Sequence, residues 1–245
     1  TLLATDGTWS IAKSTLDNDI GNNIKYAGAL TVTGITNGNE TAALTDYTTA
    51  KTGATTNTLT ASDNAWSVTA ANLTTALAAG VRFAGTLTVT AIANGDETAA
   101  LTAFTTAKTG ATTNILTADG AWSVVASALK TAIDGGVRLV GTVAVTDIAA
   151  GDEAGASTTF STTNTGATSV TLAAADGTLS VAASVLATDL SSGIKYLGAL
   201  TVTSIASGAE ATAATTYSTS NTGASSVTLL ATDGTWSIAK STLDN

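Results

Sequence analysis

Val81-Arg-Phe-Ala-Gly-Thr-Leu-Thr-Val-Thr90 decides how this chain is read. Leu87 and Val89 alternate with Thr86, Thr88 and Thr90, the period of two expected of a strand with one buried face. The pattern returns as Ile24-Lys-Tyr-Ala-Gly-Ala-Leu-Thr-Val-Thr33, Val137-Arg-Leu-Val-Gly-Thr-Val-Ala-Val-Thr146 and Ile194-Lys-Tyr-Leu-Gly-Ala-Leu-Thr-Val-Thr203. Its central glycines, Gly28, Gly85, Gly141 and Gly198, lie 57, 56 and 57 residues apart. Trp9, Trp66, Trp122, Leu179 and Trp236 step by 57, 56, 57 and 57. A period of this length marks a tandem array.

A longer repeat lies above the first. Thr1–Asn18, TLLATDGTWSIAKSTLDN, recurs unchanged as Thr228–Asn245, an offset of 227 residues or four units. The expected division is a partial unit at 1–20, units at 21–79, 80–135 and 136–192, and a last unit at 193–245, incomplete at its C-terminal end. Both ends cut through a unit, so the chain is expected to be a window on a longer array in which Asn245 precedes something like Asp19-Ile20-Gly21. A closed ring joined through the overlap is the competing reading.

Within a unit, the glycine-centred strand leads to a polar turn: Asn37-Gly-Asn-Glu40, Asn94-Gly-Asp-Glu97, Ala150-Gly-Asp-Glu153 or Ser207-Gly-Ala-Glu210. A Thr-rich stretch follows, expected to be extended or loop, with an aromatic at Tyr47, Phe104, Phe160 or Tyr217. Next comes a Thr-Gly-Ala triplet. Asp6-Gly7, Asp119-Gly120, Asp176-Gly177 and Asp233-Gly234 predict a hairpin, because glycine accepts positive φ without penalty; Asp63-Asn64 is the variant. The period then changes to four, as at Leu73/Leu77 and Leu129/Ile133, with glycine beyond at Gly80 and Gly135. That spacing predicts a short amphipathic helix. The fold class expected is therefore mainly β with short helices, an α+β repeat.

Composition narrows the chemistry. The chain has no His, Cys, Met or Pro, only 11% charged residues and a mean hydropathy of +0.31. Without His or Cys there is no zinc site of the usual kind, no Cys or Ser–His nucleophile and no haem or iron–sulfur ligation. A net charge of −9 argues against a nucleic-acid groove, which needs clustered Lys and Arg. The most apolar stretch, 137–150, is too short to span a bilayer and is interrupted by Arg138 and Asp147. A unit of this size buries about 60% of its unfolded surface and is marginal alone, and Ala and Thr bury little. Units must share surfaces, along the chain or between chains.

Candidate sites are few. Asn94, Asp96, Glu97, Asp152 and Glu153 offer hard oxygen ligands for Ca²⁺, but Ser207-Gly-Ala-Glu210 keeps a single carboxylate. A solvated turn is the preferred reading, with no cofactor. Adjacent turn carboxylates rarely face one cleft with separated pKa values, so no catalytic pair is expected. The recurrent cation at Lys25, Arg82, Arg138 and Lys195 reads as a strand-face residue lying over apolar neighbours, with an anionic polymer as the other ligand considered. Trp9, Trp66, Trp122 and Trp236 could stack surface glycans, but Leu179 at the equivalent place favours core packing. Asn39-Glu-Thr41 and Asn72-Leu-Thr74 match a glycosylation sequon.

The run Asn164-Thr-Gly-Ala-Thr-Ser-Val-Thr-Leu172, with its copy at 221–229, resembles segments of phage tail-fibre proteins. The whole chain, Ala/Thr/Gly-rich, acidic and Cys-free with near-identical blocks, resembles the giant tandem-repeat surface and filament proteins of bacteria, adhesins among them. The resemblance implies an extracellular or cell-surface location and carries over no functional residue. The expectation is a non-enzymatic structural segment whose partner is itself; an adhesin stalk or glycan-binding repeat and a phage tail fibre are the alternatives.

Overall fold

The computed structural model describes residues 1–238; the last part of the expected final unit, 239–245, lies outside the described residues. In chain order the elements begin β1 (Leu2–Ala12), α1 (Lys13–Gly21), β2 (Tyr26–Ile35), α2 (Glu40–Asp46), α3 (Thr49–Thr52) and β3 (Thr56–Thr69). Next come α4 (Ala70–Ala78), β4 (Val81–Ile92), α5 (Glu97–Ala103), α6 (Thr106–Thr109), β5 (Thr113–Ala118), β6 (Trp122–Val125), α7 (Ala126–Asp134) and β7 (Val137–Val140). The rest are β8 (Thr142–Ile148), α8 (Glu153–Thr159), α9 (Thr162–Thr165), β9 (Ser169–Ala182), α10 (Ala183–Ser191), β10 (Ile194–Ile205), α11 (Glu210–Thr216), α12 (Thr219–Thr222) and β11 (Ser226–Ala231).

The chain divides into two compact units: Thr1–Gly120 with Ala132–Leu139, and Ala121–Thr131 with the chain from Val140 onward. The first holds a sheet of order β1-β2-β3-β4-β5-β7, the second one of order β11-β10-β9-β8-β6. Within the first sheet β1 to β5 pair in sequence order and in parallel. In the second, β6, β8, β9, β10 and β11 do the same.

This overturns the hairpins. Parallel neighbours need a crossover, and a tight turn cannot supply one. At Asp63-Asn64 the chain leaves the sheet and re-enters β3 in the same direction. Thr60 pairs with Ala84 and Ala65 with Thr86, so the four residues 61–64 stand opposite the single residue Gly85. The same excursion occupies 4–7 opposite Gly28 and 174–177 opposite Gly198. The turn signal is real, but in β1, β3 and β9 the turn is a bulge in a continuous strand, and at Asp119-Gly120 it separates β5 from β6.

The Thr-rich stretch is also corrected. It forms two short helices, as in α2 and α3 or α5 and α6. Glu40, Glu97, Glu153 and Glu210 each open the first of them, where a carboxylate favours the helix N-terminus. Thr48, Ser161 and Ser218 cap the second through side-chain oxygens. Gly53, Gly110, Gly166 and Gly223 end it in the left-handed conformation, which explains the Thr-Gly-Ala triplet. The architecture is therefore α/β, rich in parallel strands with short helices, rather than α+β. The helix expected after each tryptophan strand is present: α4 buries Leu73 and Ala76.

Each sheet is buried on one face. Along β4, Val81, Phe83, Leu87, Val89 and Ile92 are buried while Arg82, Thr86, Thr88 and Thr90 are half-exposed. Helices of both kinds pack against the strands, so a single buried face means they cover the same side. Parallel sheets usually have both faces covered. Here the second face is dressed with hydroxyls, in rows such as Ser10–Thr31–Thr58 and Ser180–Thr201–Thr228.

Candidate functional site

The tryptophan position is a packing device. Trp66 is 1% exposed and Trp122 fully buried. The Trp66 indole donates from Nε1 to Ala84 O at 3.1 Å and meets Phe83 edge-on at 5.1 Å between ring centroids. Trp9 repeats this with Ala27 O at 3.0 Å and Tyr26 at 5.0 Å, and Trp122 Nε1 donates to Val140 O. Trp66 and Trp122, being buried, offer no platform to a sugar, whereas Trp9 is half-buried. Trp236 is 39% exposed.

Three of the strand-centre glycines have no room for a side chain. Gly28, Gly85 and Gly198 hold φ of +99°, +93° and +99°. A Cβ there would stand 2.0, 2.3 and 2.4 Å from the carbonyl oxygens of Gly7, Asn64 and Gly177 in the facing bulge. Gly141, which precedes β8, shares the left-handed conformation at +102°, but a Cβ there would meet nothing within 4 Å. Bulge, glycine and tryptophan thus form one construction, in which the loop packs on the glycine and the indole bonds the residue before it.

Among the described residues no three acidic side chains come together as metal ligands. Asp96 and Asp152 sit at helix N-caps without capping bonds. Glu97 and Glu153 are buried and accept the backbone N–H of Gly95 and Gly151, each at 2.8 Å. Their work is to close the turn. Asn94 places its side-chain oxygen where a Cβ on Gly120 would go. At the equivalent position Asn37 hydrogen-bonds to Asp63, and Ser207 to Asp233. The polar turn therefore bonds the next strand's bulge. Asp63 itself is held below the usual carboxylate range by the Ala65 N–H and then by Asn37.

The recurrent cation is a helix-end cap. Lys25 donates to Ala50 O at 3.3 Å and to Lys51 O, and Lys195 to Asn221 O, at the ends of α3 and α12. Arg82 reaches Leu77 O at 3.3 Å and Arg138 reaches Ile133 O at 3.3 Å, at the ends of α4 and α7. A cation at the negative end of a helix dipole is stabilising. Sequence reading placed these side chains over the strand face, because their spacing says nothing about which helix ends beside them.

A groove that the sequence did not disclose recurs beside the helices. It lies between the first turn of the post-tryptophan helix, the last residue of the glycine strand and the following helix. The groove over Ile92 and Phe104 measures about 410 Å³, that over Ile148 and Phe160 about 520 Å³, and that over Ile205 and Tyr217 about 290 Å³. Tyr217 Oη donates to Ala183 O at 2.9 Å; phenylalanine at 104 and 160 makes no such bond. The largest copy alone is lined by Lys130, Asp147 and Asp152 together, and by Gly155 where its counterparts have Ala99 and Thr212.

Buried titratable groups elsewhere pair with one another. Tyr196 donates to Asp189 and Tyr26 to Asp19. Burial, and then the neighbouring Asp19, push the Tyr26 phenol up to about 12. Burial likewise raises the Asp189 carboxyl, against the pull of Tyr196 and Ser157. These pairs join a helix to the strand after it. No helix among those residues is long and apolar enough to cross a membrane. No family model, no curated protein and no solved structure matches the chain.

Proposed function

We propose that the chain is a structural, non-enzymatic segment of a long repetitive extracellular protein, built from four units of about 57 residues and joined laterally into a filament, fibre or sheath. One observation carries the reading: within each sheet the strands follow sequence order, and successive copies of the glycine-centred strand and the strand after it, as in β2–β3, β4–β5, β8–β9 and β10–β11, pair in parallel. A sheet so built accepts further repeats at its edge without changing its core. The unchanged return of Thr1–Asn18 as Thr228–Asn245 fits duplication of such material. The hydroxyl-lined open face supplies a broad neutral surface through which copies associate. Electron microscopy of the native full-length protein tests this, with elongated assemblies expected. Compact, monodisperse particles at every concentration overturn it.

A second reading, a surface adhesin with ligand-binding repeats, draws support from the groove over Ile148 and Phe160, which gathers Lys130, Asp147 and Asp152 where the groove over Ile92 and Phe104 has Asp96 alone and that over Ile205 and Tyr217 has no charged residue. Glycan-array binding abolished by Asp147→Ala and Asp152→Ala, with circular dichroism unchanged, favours it over pure scaffolding.

A further inference from the structure

We propose that Asn37-Gly38 and Asn94-Gly95 are sites of self-modification, at which the chain converts its own asparagines to aspartate and isoaspartate with a neighbouring glutamate as base. Both asparagines and both glycines are exposed. The nucleophile is the glycine backbone nitrogen, and in both turns its N–H already donates to a carboxylate. Gly38 N lies 2.6 Å from Glu40 Oε2 and Gly95 N 2.8 Å from Glu97 Oε2. A base within hydrogen-bond reach of the proton it removes satisfies the first geometric requirement of general base catalysis. Glycine leaves the approach open, since a Cβ at position 38 or 95 would meet no atom within 4 Å.

The step balances without an external reagent other than water. The glutamate takes the glycine amide proton as the nitrogen bonds to the asparagine Cγ. The Cγ–Nδ2 bond then breaks, the proton passes to the departing nitrogen, and ammonia leaves behind a five-membered imide. Solvent water opens the imide on either side. Two conversions take the net charge of the chain from −9 to −11. At position 37 the consequence is local as well: an amide that hydrogen-bonds to Asp63 becomes a carboxylate facing it, and the turn–bulge bond becomes a repulsion.

The chain carries its own blanks. Gly151 N donates to Glu153 Oε2 in the same way, but Ala150 precedes it, and Ser207 precedes Gly208. Incubating the purified, folded chain at mildly alkaline pH and mapping its tryptic peptides by mass separates the sites, because 26–51 holds Asn37 and 83–108 holds Asn94. Both peptides are expected to gain the mass of amide-to-acid conversion, with isoaspartate, faster than in the urea-unfolded chain. Glu97→Gln is expected to slow conversion at Asn94 about tenfold, below the roughly 10²–10⁴ of an optimised base, and to leave Asn37 unchanged. Glu40→Gln asks the same question at the less buried turn if Glu97→Gln fails to fold. Slower conversion in the folded than in the unfolded chain, or a rate indifferent to both glutamates, overturns the proposal.

Discussion

Replacing Gly85 by alanine, with Gly95→Ala as its partner, tests the bulge construction quantitatively. Both glycines have nearly the same left-handed backbone, φ +93° and +95°, so both variants incur the strain of a Cβ there, about 1–2 kcal/mol. They differ in what the Cβ meets. At Gly95 there is nothing within 4 Å, whereas at Gly85 it would stand 2.3 Å from Asn64 O and 2.9 Å from Asn64 C. Both are backbone atoms, so relief requires the bulge to move and not merely a side chain to turn. Overpacking of this kind adds about 1–3 kcal/mol. Gly85→Ala is therefore expected to cost about 2–5 kcal/mol against about 1–2 for Gly95→Ala. Stability in a repeat structure is read best locally, so the assay is urea-dependent hydrogen exchange of the β3 and β4 amides, supported by tryptophan fluorescence. The Trp66–Ala84 bond should loosen with the first variant alone. Equal costs for the two substitutions would refute the claim that the bulge packs on the glycine.

Four further outcomes are expected. Ala91 holds φ +55° where the first copy has Gly34, so Ala91→Gly should stabilise by about 0.5–1 kcal/mol once the added chain entropy is deducted, measured as a rise in urea midpoint; a fall contradicts it. Phe104→Tyr should add a bond to Ala70 O, by analogy with Tyr217 and Ala183, and gain about 0.5–1.5 kcal/mol; a crystal structure with the hydroxyl turned to solvent would count against this. Asp63 should titrate by NMR below the ordinary aspartate value of about 3.9, and Asn37→Ala should move it only part of the way back, because the Ala65 N–H is the larger cause. Its stabilising contribution is present above the unfolded pKa and lost as pH falls through the folded one. Asp189 has the opposite sign, its folded pKa being raised by burial, so it favours the fold in acid and loses that contribution as pH rises through the folded pKa. Asp189→Asn should accordingly raise the urea midpoint at neutral pH and lose that advantage in acid; a lower midpoint at neutral pH would contradict the sign.

Some of this architecture is written plainly in the sequence. The Leu87/Val89 alternation, the Leu73/Leu77 spacing and the period that separates Gly28 from Gly85 each name a local structure, and each element stands where its residues put it. The hairpin failed because Asp-Gly specifies the dihedral angles of two residues, while chain reversal depends on where the flanking segments pair. Thr58 and Thr60 before the turn and Ser67 and Thr69 after it are equally suited to either pairing. The short helices were hidden by threonine, whose β preference outweighed two signals in view, a glutamate opening each stretch and alanines behind it. The grooves were illegible for a different reason. Lys130, Asp147 and Asp152 come from three elements, and only the packing of those elements brings them to one cavity.

The sequential parallel order of the first sheet has a mechanical consequence. Its hydrogen bonds run between neighbouring strands, so tension that separates β1 from β5 loads them lengthwise and opens one pair before the next. No other pair shares the load, and yielding proceeds strand by strand at modest force. Each period of about 57 residues then releases up to about 190–205 Å of extended chain, at 3.3–3.6 Å per residue. Relaxation needs only local re-pairing, since every strand finds its partner in the next segment of the same chain. Material of this kind yields gradually under load and recovers, as an extensible tether does.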